Sequence, residues 1–395
     1  MGSCRLAVKS GQLIGRNGLT TRSLPYSRWQ MSVFVVLDSS HHPRLPAVRA
    51  LTLLVRNFTA ALAASDENRY PALESVFSRG AVTTSPHNSI TGWACATHGI
   101  ERQGDWPAGA MLAHAFDEPA AGPCSDGDGP PFWICAQPVH LSVDRDSLIL
   151  QPPAQLLLTD RESRELFHAL SKHLGDEQLE TRYATSAIWC IGSHRNYHLS
   201  TTDIATAQGR SIDGRLPAGP DGRTWQRLVT EAQMLLHEHP VNAAREARGE
   251  LPVNSIWIWG SGTLPAIGPH FHVVSAVDPL LRATGILSGA RMIDTPVNLA
   301  GVPEDGRALV ELILADGDDD GSLPTLEKNW LVPAWEALSR RLIDELTLIL
   351  PLSGAIAICR CGHRERRRFW RRRHTMPEFL ARFAEATLQQ RQACQ

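Results

Sequence analysis

His237-Glu238-His239-Pro240-Val241-Asn242-Ala243-Ala244-Arg245, followed by Gly249-Glu250-Leu251-Pro252-Val253-Asn254-Ser255-Ile256-Trp257-Ile258-Trp259-Gly260-Ser261-Gly262, is the stretch on which the fold turns. Just before it, Trp225, Leu228, Val229, Ala232, Leu235 and Leu236 recur at helical spacing from about Gly222 to Glu238, and Pro240 cannot continue that helix. Just after it, Ile256 to Gly260 reads as a buried strand. A helix that delivers the chain to a strand is the unit of an α/β protein.

The same alternation extends in both directions. Toward the amino terminus, Thr159-Asp160-Arg161-Glu162 has capping-box form, and Leu166, Phe167, Leu170 and Leu174 line one face of the helix it opens. Phe132 to Ala136 and Leu148 to Leu150 read as strands. Ser32 to Asp38 reads as a strong buried strand, followed by Leu51, Leu54, Val55, Phe58, Ala61 and Leu62 at helical spacing. Toward the carboxyl terminus, Phe271 to Ala276 and Leu309 to Ala315 are expected as strands, and Asp278-Pro279 as the cap and first residue of a helix ending near Gly285. Trp335, Leu338 and Leu342 follow at helical spacing. Leu346 to Leu350 and Ala355 to Cys359 flank a Pro-Leu-Ser-Gly turn as a hairpin, and Thr375 to Glu378 caps a last helix.

The 395 residues are 43% hydrophobic and 20% charged, ordinary values for a folded chain, and the formal charge of -2 sets up no global field for nucleic acid or membrane. No apolar run approaches the roughly 18 residues of a membrane span. The first thirty residues carry arginine and lysine but no acid and lack the compact apolar stretch of a signal peptide. A disordered extension over 1–30, translation from Met31, an α/β domain over 31–395 with a middle subregion at 151–265, and a cytoplasmic location are expected. The segment from about Glu118 to Pro131, rich in Gly, Pro and Asp, reads as an exposed loop.

The long block at 237–262 resembles the signature of RpfE-type regulatory proteins, and its core, HPVN-x-x-R with a later P-x-N-x-x-W-x-x-G-x-G, is similar to a block in archaeal-type cofactor-independent phosphoglycerate mutases. Weaker resemblance lies at Pro138 to Leu141 with Asp144-Arg145-Asp146, at Leu326 to Trp330 and at Arg368 to Arg372. It implies an alkaline-phosphatase-like sheet flanked by helices, with irregular loops and a carboxyl-terminal β-hairpin plus helix. It also implies a link to the regulation of secreted pathogenicity factors, with no protein partner specified. Such mutases hold two divalent metals with Asp and His clusters beside a serine nucleophile. Their first strand ends in an Asp-Gly ligand pair, and a late strand leads into Asp-x-x-Gly-His. Here the first strand offers Asp38-Ser39-Ser40-His41-His42, and the late one Asp316-Gly317-Asp318-Asp319-Asp320-Gly321 with no following His. The expectation is therefore a degenerate scaffold with neither metal nor cofactor. It would sense a small anionic metabolite through His237, His239, Asn242, Arg245 and Asn254. An active mutase or phosphatase with divergent ligands is the alternative.

Two readings of the block residues stand side by side. Arg245 would grip a phosphate or carboxylate as a bidentate donor, or it would pair with a core carboxylate while the asparagines cap turns beside Pro240 and Pro252. Gly260-Ser261-Gly262 would place backbone amides round an anion or simply turn the chain, and nothing around it has the form of a dinucleotide fingerprint or Walker loop. Asp316, Asp318, Asp320, Gly321 and Glu327 match calcium-loop spacing, although a strand precedes them where such a loop needs a helix. Cys359, Cys361 and His363 are the densest grouping of zinc-type donors among eight cysteines with no disulfide framework, but structural zinc takes four ligands in paired spacings. Arg360, Arg364, Arg366 to Arg368 and Arg371 to Arg373 surround Phe369 and Trp370, a local nucleic-acid or protein-binding signal. Weighing against it, only Lys9, Lys172 and Lys328 among the 39 basic residues are lysine, so arginine is the chain's general habit. The two aromatic rings would also serve by packing on the sheet.

Overall fold

The computed structural model describes residues 49–65, 69–116, 131–304, 306–315, 322–352, 354–371 and 373–393. These fall in one compact unit, 46–395. The strands are β1 (Ala50–Arg56), β2 (Ala81–Thr84), β3 (Phe132–Val139), β4 (Leu141–Asp144), β5 (Ser147–Leu150), β6 (Glu180–Thr185), β7 (Ile188–Ser193), β8 (Ser255–Thr263), β9 (Val273–Ser275), β10 (Arg291–Met292), β11 (Arg307–Ile313), β12 (Glu345–Leu352) and β13 (Ala355–Gly362). The helices that matter below are α1 (Phe58–Ala63), α2 (Pro71–Arg79), α3 (Ile90–Thr97), α4 (Ala108–Ala115), α5 (Asp160–Asp176), α6 (Ile204–Ala207), α7 (Gly222–His237), α8 (Pro240–Ala247), α9 (Pro279–Leu287), α10 (Ser322–Leu326), α11 (Val332–Ser339), α12 (His363–Arg366) and α13 (Met376–Ala393).

Seven strands form the central sheet in the order β10-β9-β11-β1-β12-β13-β2. The first five run parallel and the last two are antiparallel additions. Helices cover both faces. Leu51, Leu53 and Val55 point to the layer of α1, α2, α10, α11 and α13, whereas Leu54, Leu309, Ile349 and Ile358 point to α3 and α9. A second, antiparallel sheet has the order β6-β7-β3-β8, with α5, α7 and α8 on one face and α4 on the other. This is the α/β arrangement expected, with the β12-β13 hairpin and α13 closing the chain.

One element differs from the sequence reading. Leu51 to Leu62 is not a helix: Ala50–Arg56 is the central parallel strand, and only Phe58–Ala63 is helical. A strand buried on both faces has no polar alternation, and a short apolar run fits either period. The strand expected at Ser32 to Asp38, the 1–30 extension and the Asp316 to Gly321 acids lie outside the described residues, as does nearly all of the Glu118 to Pro131 loop.

Candidate functional site

The signature block folds as a set of fasteners. Pro240 sits at the first position of α8 with His239 as its cap, where Nδ1 accepts from the Val241 amide at 3.3 Å. Burial holds the His239 imidazole below its ordinary value. Asn242 is buried and donates to the carbonyls of Leu236 and Val253, both at 2.7 Å, while accepting from the Val253 amide at 2.8 Å. It ties the end of α7 to the approach to β8. Asn254 accepts from the Leu141 amide at 2.8 Å and donates to the Leu141 carbonyl at 2.9 Å, locking β8 to the start of β4. His237 is exposed at the end of α7.

Arg245 is enclosed, with 0% of its side chain exposed. Nε donates to the Leu251 carbonyl at 2.9 Å, one terminal nitrogen to Glu162 at 2.9 Å, and the other to the Leu156 carbonyl. Glu250 adds a second carboxylate at 3.4 Å. Burial alone would raise the Glu162 carboxyl, but hydrogen bonds from Thr159 and Arg248 outweigh it and hold the group low. Arg245 thus meets a core carboxylate and two carbonyls, and its guanidinium turns no edge to solvent. An incoming anion would have to displace these protein groups.

A different cluster lies at the carboxyl edge of the central sheet, where open α/β sheets usually carry their chemistry. β1 ends in Arg56-Asn57. The Arg56 guanidinium donates through Nε to Glu311 on the neighbouring strand β11, and at 2.6 Å to Asp278. Glu311 is 1% exposed and also accepts from the Val277 and Asp278 amides, each at 2.7 Å. Asp278 in turn caps α9, accepting from the Leu280 and Leu281 amides. Burial works to lower the Arg56 pKa, and the two carboxylates overcome it and raise it. The result is a closed triad in which an internal cation occupies the carboxylates. No local sequence signal joins its members, since Arg56 lies 222 residues from Asp278 and 255 from Glu311.

Two further acids lie nearby. Asp105 accepts from the amides of Trp106 at 2.8 Å and Gly260 at 2.9 Å, and from the Thr201 hydroxyl. The Gly260 amide does meet an anion, but an internal one. Gly260, at φ 71°, forms a bulge inside β8 rather than a turn after it, and a Cβ there would lie 2.9 Å from that of Ala108. Asp203, which precedes α6, is held above the usual carboxylate range by burial and then by the Asp105 and Asp278 charges. Among the described residues no group of three or more His, Cys, Asp or Glu is placed to hold a metal.

The remaining motif residues have local roles. Glu327 accepts from the amides of Ala72 and Leu73, at 2.5 and 3.1 Å, and so caps α2 from across the fold. Burial pushes both Cys359 and Cys361 well above the usual thiol range, and Cys359 donates to the Val76 carbonyl. Phe369 and Trp370 do not pack on the sheet: they are 77% and 70% exposed and meet edge to face at 5.4 Å.

No family model matches this chain. It is similar over part of its length to 2,3-bisphosphoglycerate-independent phosphoglycerate mutases. Identity is 42% over 96 residues with the Methanothrix thermoacetophila protein, covering 22% of this chain and 24% of that one. It is 32% over 146 residues with the Methanosarcina barkeri protein, covering 35% and 36%. A probable enzyme of the same name from Geobacter sulfurreducens matches at 29% over 167 residues, covering 39% and 41%. The matched stretches thus span between a quarter and two-fifths of these relatives. Among solved structures, a cofactor-independent phosphoglycerate mutase from Thermoplasma acidophilum aligns over 80% of this chain and 89% of its own, at 13% identity and a TM-score of 0.39. A Pyrococcus horikoshii protein aligns over 80% and 88%, at 11% identity and a TM-score of 0.43.

Proposed function

We propose that this protein is a non-catalytic relative of the phosphoglycerate mutases that works by binding a small anion in a regulatory, RpfE-type role. The observation that carries the reading is the Arg56 guanidinium held between Asp278 and Glu311. Two metal ions beside a transferring phosphoryl group neutralise charge that side chains hold poorly, so a centre without them forfeits many orders of magnitude in rate. A guanidinium supplies positive charge with no open coordination position and cannot activate water or a serine hydroxyl. It offsets one of the two carboxylate charges and offers no Lewis acid to a phosphoryl group. Purified protein supplied with Mg²⁺, Mn²⁺ or Zn²⁺ is expected to leave 2- and 3-phosphoglycerate unconverted. Metal-dependent interconversion would overturn the reading in favour of an enzyme with divergent ligands.

A second reading has its own observation. The exposed Phe369-Trp370 pair stands among exposed Arg364, Arg367, Arg371 and Arg373, a surface suited to stacking on bases beside phosphates. Retardation of single-stranded RNA that weakens steeply with salt and is lost in Trp370→Ala would support it. Salt-independent or absent retardation would dismiss it.

A further inference from the structure

On the face of the central sheet that carries the Arg56 triad, the register sets Leu54, Glu311 and Ile349 in one row after Arg56, then Thr52, Leu309, Thr347 and Arg360, and at the amino edge Ala50, Arg307 and Glu345. Strand periodicity places all of them on one side. The amino edge of that face opens into a cleft of about 320 Å³, within the range of small-molecule sites.

Arg307 begins β11 and Arg360 lies near the end of β13, and both are exposed. Among the described residues neither guanidinium makes a hydrogen bond or ion pair, although Glu345 lines the same cleft. That carboxylate instead accepts from the Thr347 hydroxyl at 3.2 Å. Trp93 and Phe271, both largely buried, supply apolar wall beneath the arginines. His270 lines the same cleft, and burial first, then Arg307, His98 and Arg360, lower its pKa to about 4. Two unpaired arginines over a partly apolar floor are a poor arrangement for an empty surface and a good one for a ligand with two negative ends.

We propose that this amino-edge cleft binds a compact organic dianion, with Arg307 and Arg360 each holding one acidic group and the carbon skeleton lying against Trp93 and Phe271. The site is at the opposite edge of the sheet from the Arg56 triad. It gives the anion-binding reading above a location, and so rests on that reading for its biological sense but not for its test. Turnover decides the catalytic question, whereas binding decides this one.

The test is calorimetry at low salt with four probes: inorganic phosphate, succinate, 3-phosphoglycerate and, as a monoanion, acetate. Succinate or 3-phosphoglycerate is expected to bind saturably at one site per chain, with acetate and inorganic phosphate, each a single acidic group, much weaker. Succinate against 3-phosphoglycerate tells a dicarboxylate site from one that takes a phosphorylated acid. Arg307→Gln and Arg360→Gln should each weaken the binding about tenfold or more, since each removes a charge-assisted contact. Arg364→Gln, in the exposed arginine-rich segment, should leave it unchanged. Circular dichroism of the two cleft variants should match the parent, because both side chains project from strand ends. No saturable dianion, equal binding of acetate, or affinity that survives both cleft substitutions would overturn the proposal.

Discussion

Arg245 shows how a residue that has the look of a ligand-binding group becomes part of the scaffold. A guanidinium carries five N–H donors in a rigid fork, and here the fork is filled by Glu162, Leu251 and Leu156. Replacing it with methionine would keep much of the volume but strand two buried carbonyls and unbalance Glu162. Arg245→Met is expected to cost about 3–5 kcal/mol in urea unfolding, whereas His237→Ala at the exposed helix end should stay within about 0.5 kcal/mol. Equal effects would mean that Arg245 fastens nothing in the fold. His270 gives the residue scale a pH signature. Its folded pKa, about 4, lies below the ordinary imidazole value because of burial and the nearby Arg307, His98 and Arg360. The unfolded chain therefore takes up a proton near pH 6.5 that the folded state refuses until about pH 4. Stability is fully present above 6.5 and declines as pH falls toward 4. His98, lowered by burial, adds in the same direction. Thermal midpoints measured from pH 7.5 to 4.5 should fall less steeply in His270→Gln, and an unchanged slope would remove the histidine from the account.

At the scale of elements, legibility followed the distance over which the signal acts. The capping box of α5 forms as its sequence indicates, with Thr159 and Glu162 bonded reciprocally, and Thr375 with Glu378 does the same for α13. Asp278-Pro279 opens α9, and β12 and β13 pair as the expected hairpin, with Pro351 and Leu352 still inside β12 rather than in the turn. Each of those signals lies within about four residues. The sequence of β1 fits a helix as readily as a strand because Leu51, Leu53, Leu54 and Val55 are all buried, and a strand clad on both faces loses the alternation that would distinguish it. The Arg56 triad was invisible to local reading because its members lie 222 and 255 residues apart in sequence. Glu327 belongs to the same class: it matches the last position of a calcium loop, yet it acts 254 residues away as the acceptor for α2. Glu327→Ala would leave the Ala72 and Leu73 amides without that acceptor. By analogy with lost amino-terminal caps it should cost about 1 kcal/mol, read as a lower urea midpoint with an unchanged slope. A variant as stable as the parent would show that water serves α2 equally well.

The whole molecule depends on how the two sheets are joined. α4 packs beneath β3 and β8 through Ala108, Ala110, Met111 and Leu112, and the same core includes Leu280 and Ala283 of α9. α9 also reaches the central sheet, where Leu281 joins Leu54, Leu309 and Ile349. The pair α4 and α9 is thus the mechanical link between the sheets. Its closest approach is at Gly109, where an added Cβ would lie 2.6 to 2.7 Å from the backbone of Ile134 in β3. That neighbour is main chain at the middle of a sheet and cannot rotate away. Gly109→Ala should gain about 1 kcal/mol of helix propensity and lose more through the clash, for a net cost of about 1–3 kcal/mol. Because the link is shared, the loss should not stay local. Amides of β1 and of β3 should exchange through one common opening in the parent protein, and Gly109→Ala should lower the protection of both by the same amount. Protection lost in β3 alone, with β1 unchanged, would mean that the sheets open independently and that α4 belongs only to the second of them.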